Sequence, residues 1–598
     1  MSIADSQYGL GVKGDDRIST QDRKSRTHGA LIPLGLTIAL GLICYGLFFN
    51  RGIWLSVIGY SVAPAERVMQ GEMPYRDFIY NYTPGILWLN AALMRLFGAT
   101  LLTISAGLFV IKLATLILIY LIGRSLAGNW AALIAVCLAL AWIGWKYVFG
   151  VYPTQYSMLF VLLGIYSILE YERRGRWPWL LLSGISVGIV FVFKYNVGIL
   201  LVATVTAGIV LRALMLRGEA EATKAILLRM VREAVVCWSG FVIVAGLMAA
   251  YLAANDSLVP MLNHFLRFAG EYTANRSVGL PSLKLISPTV AAFVAATVAG
   301  WVVVKKYPRW FVAYVVACGV LACAAILIPA RAEIAKASAT ATVAYIPPAI
   351  FACVVLVVLW SFKQNLKDRE RARLWWGRNG KLVLVTMFAL GAYLEVYPRA
   401  DYYHLVRVLP PVFLVLLIIG KRLFVSLDSY FNAHLPAHRL AASATVAMPL
   451  VFLILLGLHN TWRPHLDSSF GFVERVTPGV RKTEGVLVTP RQARFIEEMD
   501  GLIQAHSNTD EPIYSFSQRG TGFYFLSSRH NPTRFVWWRS VGIRSEARES
   551  LLETIAARGP KLILLQDSLK DARIRDSINA NYHKVGAVAD IAVYDRNQ

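Results

Sequence analysis

The residues best suited to chemistry sit in short polar stretches between long apolar runs. Gly71-Glu72-Met73-Pro74-Tyr75-Arg76-Asp77-Phe78 sets a carboxylate beside a guanidinium, with Glu66 upstream. Pro74 restricts the backbone there, and Tyr75 and Phe78 offer apolar anchors. Lys194 stands in a three-residue break, Lys194-Tyr195-Asn196, between two apolar runs. Arg399, Asp401 and His404 form a third set at the entrance to another apolar run. Carboxylates so placed suit proton abstraction from a hydroxyl, and Arg or Lys suits an anionic leaving group. Each has a structural alternative. Asp77 pairs equally well with Arg76 or a loop amide, and Glu66 suits a helix surface. Lys194 can snorkel to a membrane interface, and Asp401 can cap a helix.

The elements that must hold these side chains are membrane helices. Hydrophobic residues make up 56% of the 598, and charged residues 16%. The apolar residues come in blocks of about 15–22, the length that crosses a hydrocarbon core of about 30 Å. The net charge of +24 resides mostly in short loops between these blocks. There it orients a membrane protein and does not point to nucleic acid. All six cysteines lie inside apolar runs without C-x-x-C spacing, which predicts neither a disulfide framework nor a zinc site.

Lys13, Arg17, Arg23, Lys24 and Arg26 place a polar tail, residues 1–30, in the cytoplasm. About thirteen spans follow over 31–458. They lie near 31–49, 101–122, 130–143, 156–169, 179–193, 197–211, 234–254, 285–304, 310–328, 343–360, 382–397, 405–419 and 440–458. A long external loop covers residues 50–100. Within it Gly85–Phe97 is apolar but short and contains Asn90 and Arg95, so it reads as an interfacial helix. With that choice the clusters Arg173–Arg176, Lys305–Arg309 and Lys363–Lys381 all fall on the cytoplasmic side.

From 459 to 598 the composition becomes that of a water-exposed domain on the external, periplasmic side. EPIYSF, RFVWW, KLILL and IAVYD read as strands, and Gln492–His506, Ser545–Arg558 and Ser568–Asn579 as helices, giving a small α/β layer. The fold class expected is therefore a polytopic α-helical membrane protein with a small C-terminal α/β domain.

Four stretches carry a resemblance to a known group. In the first loop Ala65, Arg67, Gly71, Pro74, Tyr75, Arg76, Asp77, Phe78, Pro84, Gly85, Leu96, Phe97 and Gly98 match a pattern common in bacterial GT-C membrane glycosyltransferases. That superfamily includes protein O-mannosyltransferases and the lipid A aminoarabinose transferase. GISVGIVFVFKYNVGILL is similar to its fifth–sixth hairpin with a lysine at the tip. YPRADYYHLVRVLP (Tyr397–Pro410) is similar to a late external loop, and YFLSSRHNPTRF to a motif of its C-terminal domain.

The resemblance implies a glycosyltransferase of the bacterial inner membrane. It would move a sugar from a polyprenyl-phosphate donor to a lipid, glycan or protein acceptor, by a single inverting displacement on the periplasmic face. Asp77 and Glu66 are then the expected catalytic acids. Lys194, Arg76, Tyr75, Arg399, Asp401 and His404 are expected at the substrate. An O-antigen ligase or polymerase is the related alternative, and a transporter or flippase of lipid-linked glycans the non-enzymatic one. One departure stands out: family members carry an acid, often Asp-Glu, where this chain has Val57-Ile58, and no carboxylate lies between Asn50 and Glu66. A divalent-metal site is therefore not expected.

Overall fold

The computed structural model describes residues 20–143, 151–216, 223–276 and most of 278–597. Residues 283–286, 328–331, 366–367, 398, 434–437, 462–473, 537–547 and several between 550 and 558 lie outside the described set. The first nineteen residues of the expected tail, and most of the helix expected over Ser545–Arg558, therefore fall outside it.

Each of the thirteen expected spans coincides with a helix. Among the described residues seven helices are long and apolar enough to cross a bilayer by themselves, including Leu101–Ala127, Tyr195–Met215 and Pro410–Asn432. Asn129–Ile143 and Trp177–Phe193 are shorter apolar helices. The chain is thus a polytopic α-helical membrane protein with a small C-terminal sheet. The first helix runs Thr20–Gly41, so it begins within the stretch expected to be a polar tail.

Close helix approach relies on small residues, because lipid supplies no hydrophobic drive between apolar helices. Trp177–Phe193 packs on Thr223–Ala254 in this way. A Cβ added at Gly184 would stand 1.9 Å from the Cys237 carbonyl oxygen. At the far end of the bundle Arg212 bonds Glu172 (2.5 Å) and Glu233 (2.9 Å), and Trp376 Nε1 donates to Glu172 (2.7 Å). That network ties four helices together.

Gly85–Phe97 is a helix over the expected residues. Gly85 meets the backbone of Val192, where a Cβ would lie 2.7 Å from the carbonyl oxygen. Leu96 and Phe97 remain largely exposed. Leu258–Arg276 is a helix that apolar periodicity did not suggest, because polar residues interrupt it on every turn.

Among the described residues the C-terminal sheet has four strands: β1 Ile513–Ser515, β2 Leu562–Gln566, β3 Tyr582–Val588 and β4 Ile591–Arg596, in the order β1-β2-β4-β3. β1 and β2 are parallel, and β4 is antiparallel to both β2 and β3. β3 was not expected, since His583, Lys584 and Gly586 hide its pattern. Alternate residues feed two cores, as the two-residue period of a strand requires. Tyr514, Ile563 and Leu565 pack with Ile574 and Ile578 of the helix Ala572–Asn581. Ile513, Leu562 and Leu564 join a cluster that continues into the first loop through Leu55, Ile58, Tyr75 and Phe78. Backbone bonds reinforce this seam. Gly52 N donates to Leu487 O (2.7 Å), Leu487 N to Asn50 O (2.7 Å), and Ile79 N to Arg534 O (2.8 Å).

Candidate functional site

Two polar regions border the first loop. The first is a buried charge cluster at the end of the bundle. Lys194, between Trp177–Phe193 and Tyr195–Met215, has its Nζ bonded to Glu395 and within 3.2 Å of Thr154 Oγ1. Thr154 in turn donates to Glu395 Oε1 (2.7 Å). Lys194, Glu395 and Arg407 are only 6–7% exposed. The Tyr82 ring faces Lys194 Nζ at 5.6 Å, and the Arg407 guanidinium lies 3.7 Å from the Tyr152 ring centre.

The Arg399–His404 set adjoins this cluster. Asp401 caps the helix Tyr402–Arg407 through the amides of Tyr403 and His404, at 3.0 and 3.2 Å. It also accepts from Arg399 Nε (2.6 Å) and lies 2.9 Å from His404 Nδ1. Burial opposes its charge, but the bonds to His404 and Arg399 outweigh that and hold the carboxyl well below the usual carboxylate range. Burial lowers the pKa of His404, against the pull of Asp401.

The first loop supplies the wall of the cluster. Tyr75 occupies the left-handed region (φ 70°), a strained setting for a residue with a side chain. Its amide donates to Phe78 O (2.6 Å), and its hydroxyl donates to the Tyr82 carbonyl. Phe265, from the helix Leu258–Arg276, sits between Tyr75 and Tyr195, with ring separations of 5.7 and 4.3 Å. His264, beside it, is 3.1 Å from Asn81, and burial pushes its pKa down to about 4.

The second region is a groove between the first loop and the C-terminal domain, made of two adjoining cavities. One, of about 600 Å³, is lined by Glu66, Arg67, Glu72, Lys482 and Tyr524 among others. The other, of about 810 Å³, is lined by Arg67, Glu72, Asp77 and Arg534 among others. Glu66 and Asp77 thus line adjoining halves of one groove, with the Arg67–Glu72 pair (2.5 Å) between them.

Their environments differ. Asp77 accepts from Arg76 through both oxygens (2.9 and 2.8 Å) and from the Met73 amide (2.7 Å). The Arg76 bonds, opposed by partial burial and helped by Met73, lower its pKa. Glu66, from the helix Ala63–Met69, bonds Lys482 (2.6 Å). Burial raises its pKa although Lys482 opposes the shift. Val57 and Ile58, where the resembling family carries its acid, are both buried in the apolar seam. Among the described residues no three His, Cys, Asp or Glu side chains converge as a metal-ligand set.

The structure therefore joins Lys194 with His404 and Asp401, places Tyr75 against Tyr82, and sets Asp77 and Glu66 apart in the groove. Glu395, Arg407, Thr154 and Lys482 went unrecognised. Glu395 was the most findable, as a carboxylate at the end of an apolar span.

Residues 81–243 match the family model described as dolichyl-phosphate-mannose-protein mannosyltransferase. No curated protein matches the chain in sequence. Among solved structures, ArnT from Cupriavidus metallidurans bound to undecaprenyl phosphate aligns over 95% of this chain and 98% of its own, at 12% identity and TM-score 0.46. The oligosaccharyltransferase of Archaeoglobus fulgidus, in complex with Zn and sulfate, aligns over 94% of this chain and 73% of its own, at 10% identity and TM-score 0.47. From the first loop through the Lys194 hairpin, the chain resembles the membrane mannosyltransferases and, through them, the GT-C superfamily of polyprenyl-phosphate-dependent glycosyltransferases.

Proposed function

We propose that the protein transfers a sugar from a polyprenyl-phosphate donor to a hydroxyl acceptor, on the membrane face that carries the C-terminal domain. That face is the periplasmic one by the distribution of basic loops. The observation that carries the reading is the buried pair of cations, Lys194 and Arg407, at the foot of the first loop. Lys194 lies within the stretch matched by the family model.

A donor's tail stays in lipid while its phosphate reaches these cations, and Lys194 exchanges Glu395 for the phosphate. The acceptor oxygen attacks the anomeric carbon as the bond from that carbon to the phosphate oxygen breaks. Polyprenyl phosphate leaves with the bonding electrons, and Lys194 and Arg407 stabilise its charge. A carboxylate takes the acceptor proton. Glu66 fits that role better than Asp77. Its raised pKa brings it closer to the working pH, whereas Asp77 commits its oxygens to Arg76 and the loop amide.

Mass spectrometry of envelope glycans from wild-type and deletion strains tests the reading. One sugar substituent should disappear on deletion and return with the wild-type chain. An unchanged glycan profile would remove it.

A further inference from the structure

We infer that the groove between the first loop and the C-terminal domain is a carbohydrate site that takes a neutral, polyhydroxylated acceptor of two or more sugar units. This rests on the transferase reading and narrows its acceptor to a glycan.

Shape comes first. The two cavities share Arg67, Glu72, His530 and Asn531, so they form one trough. Each alone is within the usual range for a small-molecule site, about 300–1,000 Å³. One end is marked by Glu66 and Lys482, the other by Glu553 and Ala557.

Charge is the discriminating feature. The protein carries +24 overall, yet the carboxylates lining the trough (Glu66, Glu72, Asp77, Glu553) are matched in number by its cations (Arg67, Lys482, Arg529, Arg534). Most are committed to partners. Glu66 holds Lys482, and Arg67 holds Glu72. Arg529 donates to the carbonyls of Ser507 and Ser527, each at 2.7 Å, and Arg534 donates to the Tyr75 carbonyl at 2.9 Å. Burial lowers the pKa of His530, which disfavours a further positive charge here. A phosphorylated or otherwise anionic acceptor would require an excess of cations here.

What remains is a mixture of donors and acceptors. Paired carboxylates keep free lone pairs, and the exposed Gln70 and Thr509 offer both roles. Sugar hydroxyls, which donate and accept, match such a lining. Tyr524, Pro532 and Phe535 add apolar surfaces suited to the C–H faces of pyranose rings. A peptide would seek an open strand edge, but the Ile79 amide already pairs with the Arg534 carbonyl.

The test uses the full chain in phospholipid nanodiscs free of glycoside detergent. The probes are oligosaccharides released from the host envelope and separated by anion exchange into neutral and anionic fractions. Saturation-transfer NMR should show signals from the neutral fraction. Those signals should be lost when Gln70→Trp and Thr509→Trp, both at exposed positions, fill the trough. Polyprenyl-phosphate binding, measured on the same samples, should be unchanged by the filling. Signals from the anionic fraction only, neutral signals that survive the filling, or no signal from either fraction would overturn the inference. Neutral binding without any polyprenyl-phosphate binding would instead sink the transferase reading and leave the groove assignment standing.

Discussion

Lys194 and Glu395, 201 positions apart in the chain, form an ion pair shielded from solvent where the apolar helices end. The lysine is therefore no free anchor at the interface. Removing it strands a buried carboxylate, which typically costs about 3–5 kcal/mol. Lys194→Ala should thus unfold at a clearly lower temperature than wild type. Removing both charges, with Lys194→Met and Glu395→Gln, should restore most of that loss but abolish polyprenyl-phosphate binding. Thermal unfolding and donor binding in nanodiscs check both halves. A doubly substituted chain with wild-type donor affinity would show that the phosphate binds elsewhere.

The seam between the first loop and the C-terminal domain should be intolerant of a single methyl group. A Cβ at Gly59 would lie 2.0 Å from Thr521 Oγ1 and 2.6 Å from the Thr521 carbonyl carbon. Backbone cannot yield there cheaply. In an open helix Gly→Ala gains about 0.5–1 kcal/mol, whereas overpacking of this kind costs about 1–3 kcal/mol. Gly59→Ala should therefore destabilise, with faster hydrogen exchange in β1 and in residues 520–526 but not in the helices of the bundle. Unchanged exchange in both segments would mean that the seam relaxes freely.

Asp401 should make stability pH-dependent. Its folded pKa lies below the ordinary carboxyl value of 3.8, so it stabilises above that pH, and the contribution is lost as pH falls toward the depressed value. Asp401→Asn keeps an N-cap oxygen but removes the charge that His404 and Arg399 bind. The variant should be less stable than wild type at pH 7, and the gap should narrow below about pH 4. Unfolding midpoints from pH 3 to 8 measure this. A gap that does not change with pH would assign Asp401 to capping alone.

Lipid-length apolar blocks made the helical part legible, because the period and length of a span are written in local composition. The helix Gly85–Phe97 was legible for the same reason. The site was less legible because its contacts are long-range. Glu66 and Lys482 are 416 positions apart, and nothing local marks their meeting. Glu395 stands just before the Tyr397–Pro410 stretch, and its partner Lys194 is 201 positions away, so no local pattern marks it. β3 was missed because an exposed strand carries His583 and Lys584 in place of an alternating apolar face. For Asp77 the neighbouring Arg76 is legible in the sequence, but the bond from the Met73 amide belongs to a turn in which Tyr75 takes a positive φ, and that is not.

The basic loops predict an orientation that can be tested. A reporter fused after Asp368 should report cytoplasm, and reporters fused at Asp401 or after Gln598 should report the periplasm. A cytoplasmic C-terminus would put the groove on the wrong face for the proposed reaction.

The choice between the two groove acids is open to direct test. Glu66 is half-buried, bonds Lys482, and is raised in pKa, with burial as the cause and Lys482 opposing. Asp77 is partly exposed, lowered in pKa by Arg76, and tied through Met73 into its own turn. A base that accepts a proton in the transition state works best with a pKa near the operating pH, which favours Glu66. Glu66→Gln should lower turnover by about 10²–10⁴ with donor binding intact, the range expected for loss of a general base. Asp77→Asn should act differently. It keeps the turn's shape but loosens the Arg76 contact, so it should change acceptor KM more than kcat. The pH–rate profile adds a readout that a structural role would not move. If Glu66 is the base, the acidic limb of kcat/KM should titrate above the ordinary glutamate range in wild type and vanish in Glu66→Gln. If Glu66→Gln keeps both its rate and that limb while Asp77→Asn loses turnover, the base is Asp77. If both variants remain active, the proton leaves through the Asp401–His404 pair instead.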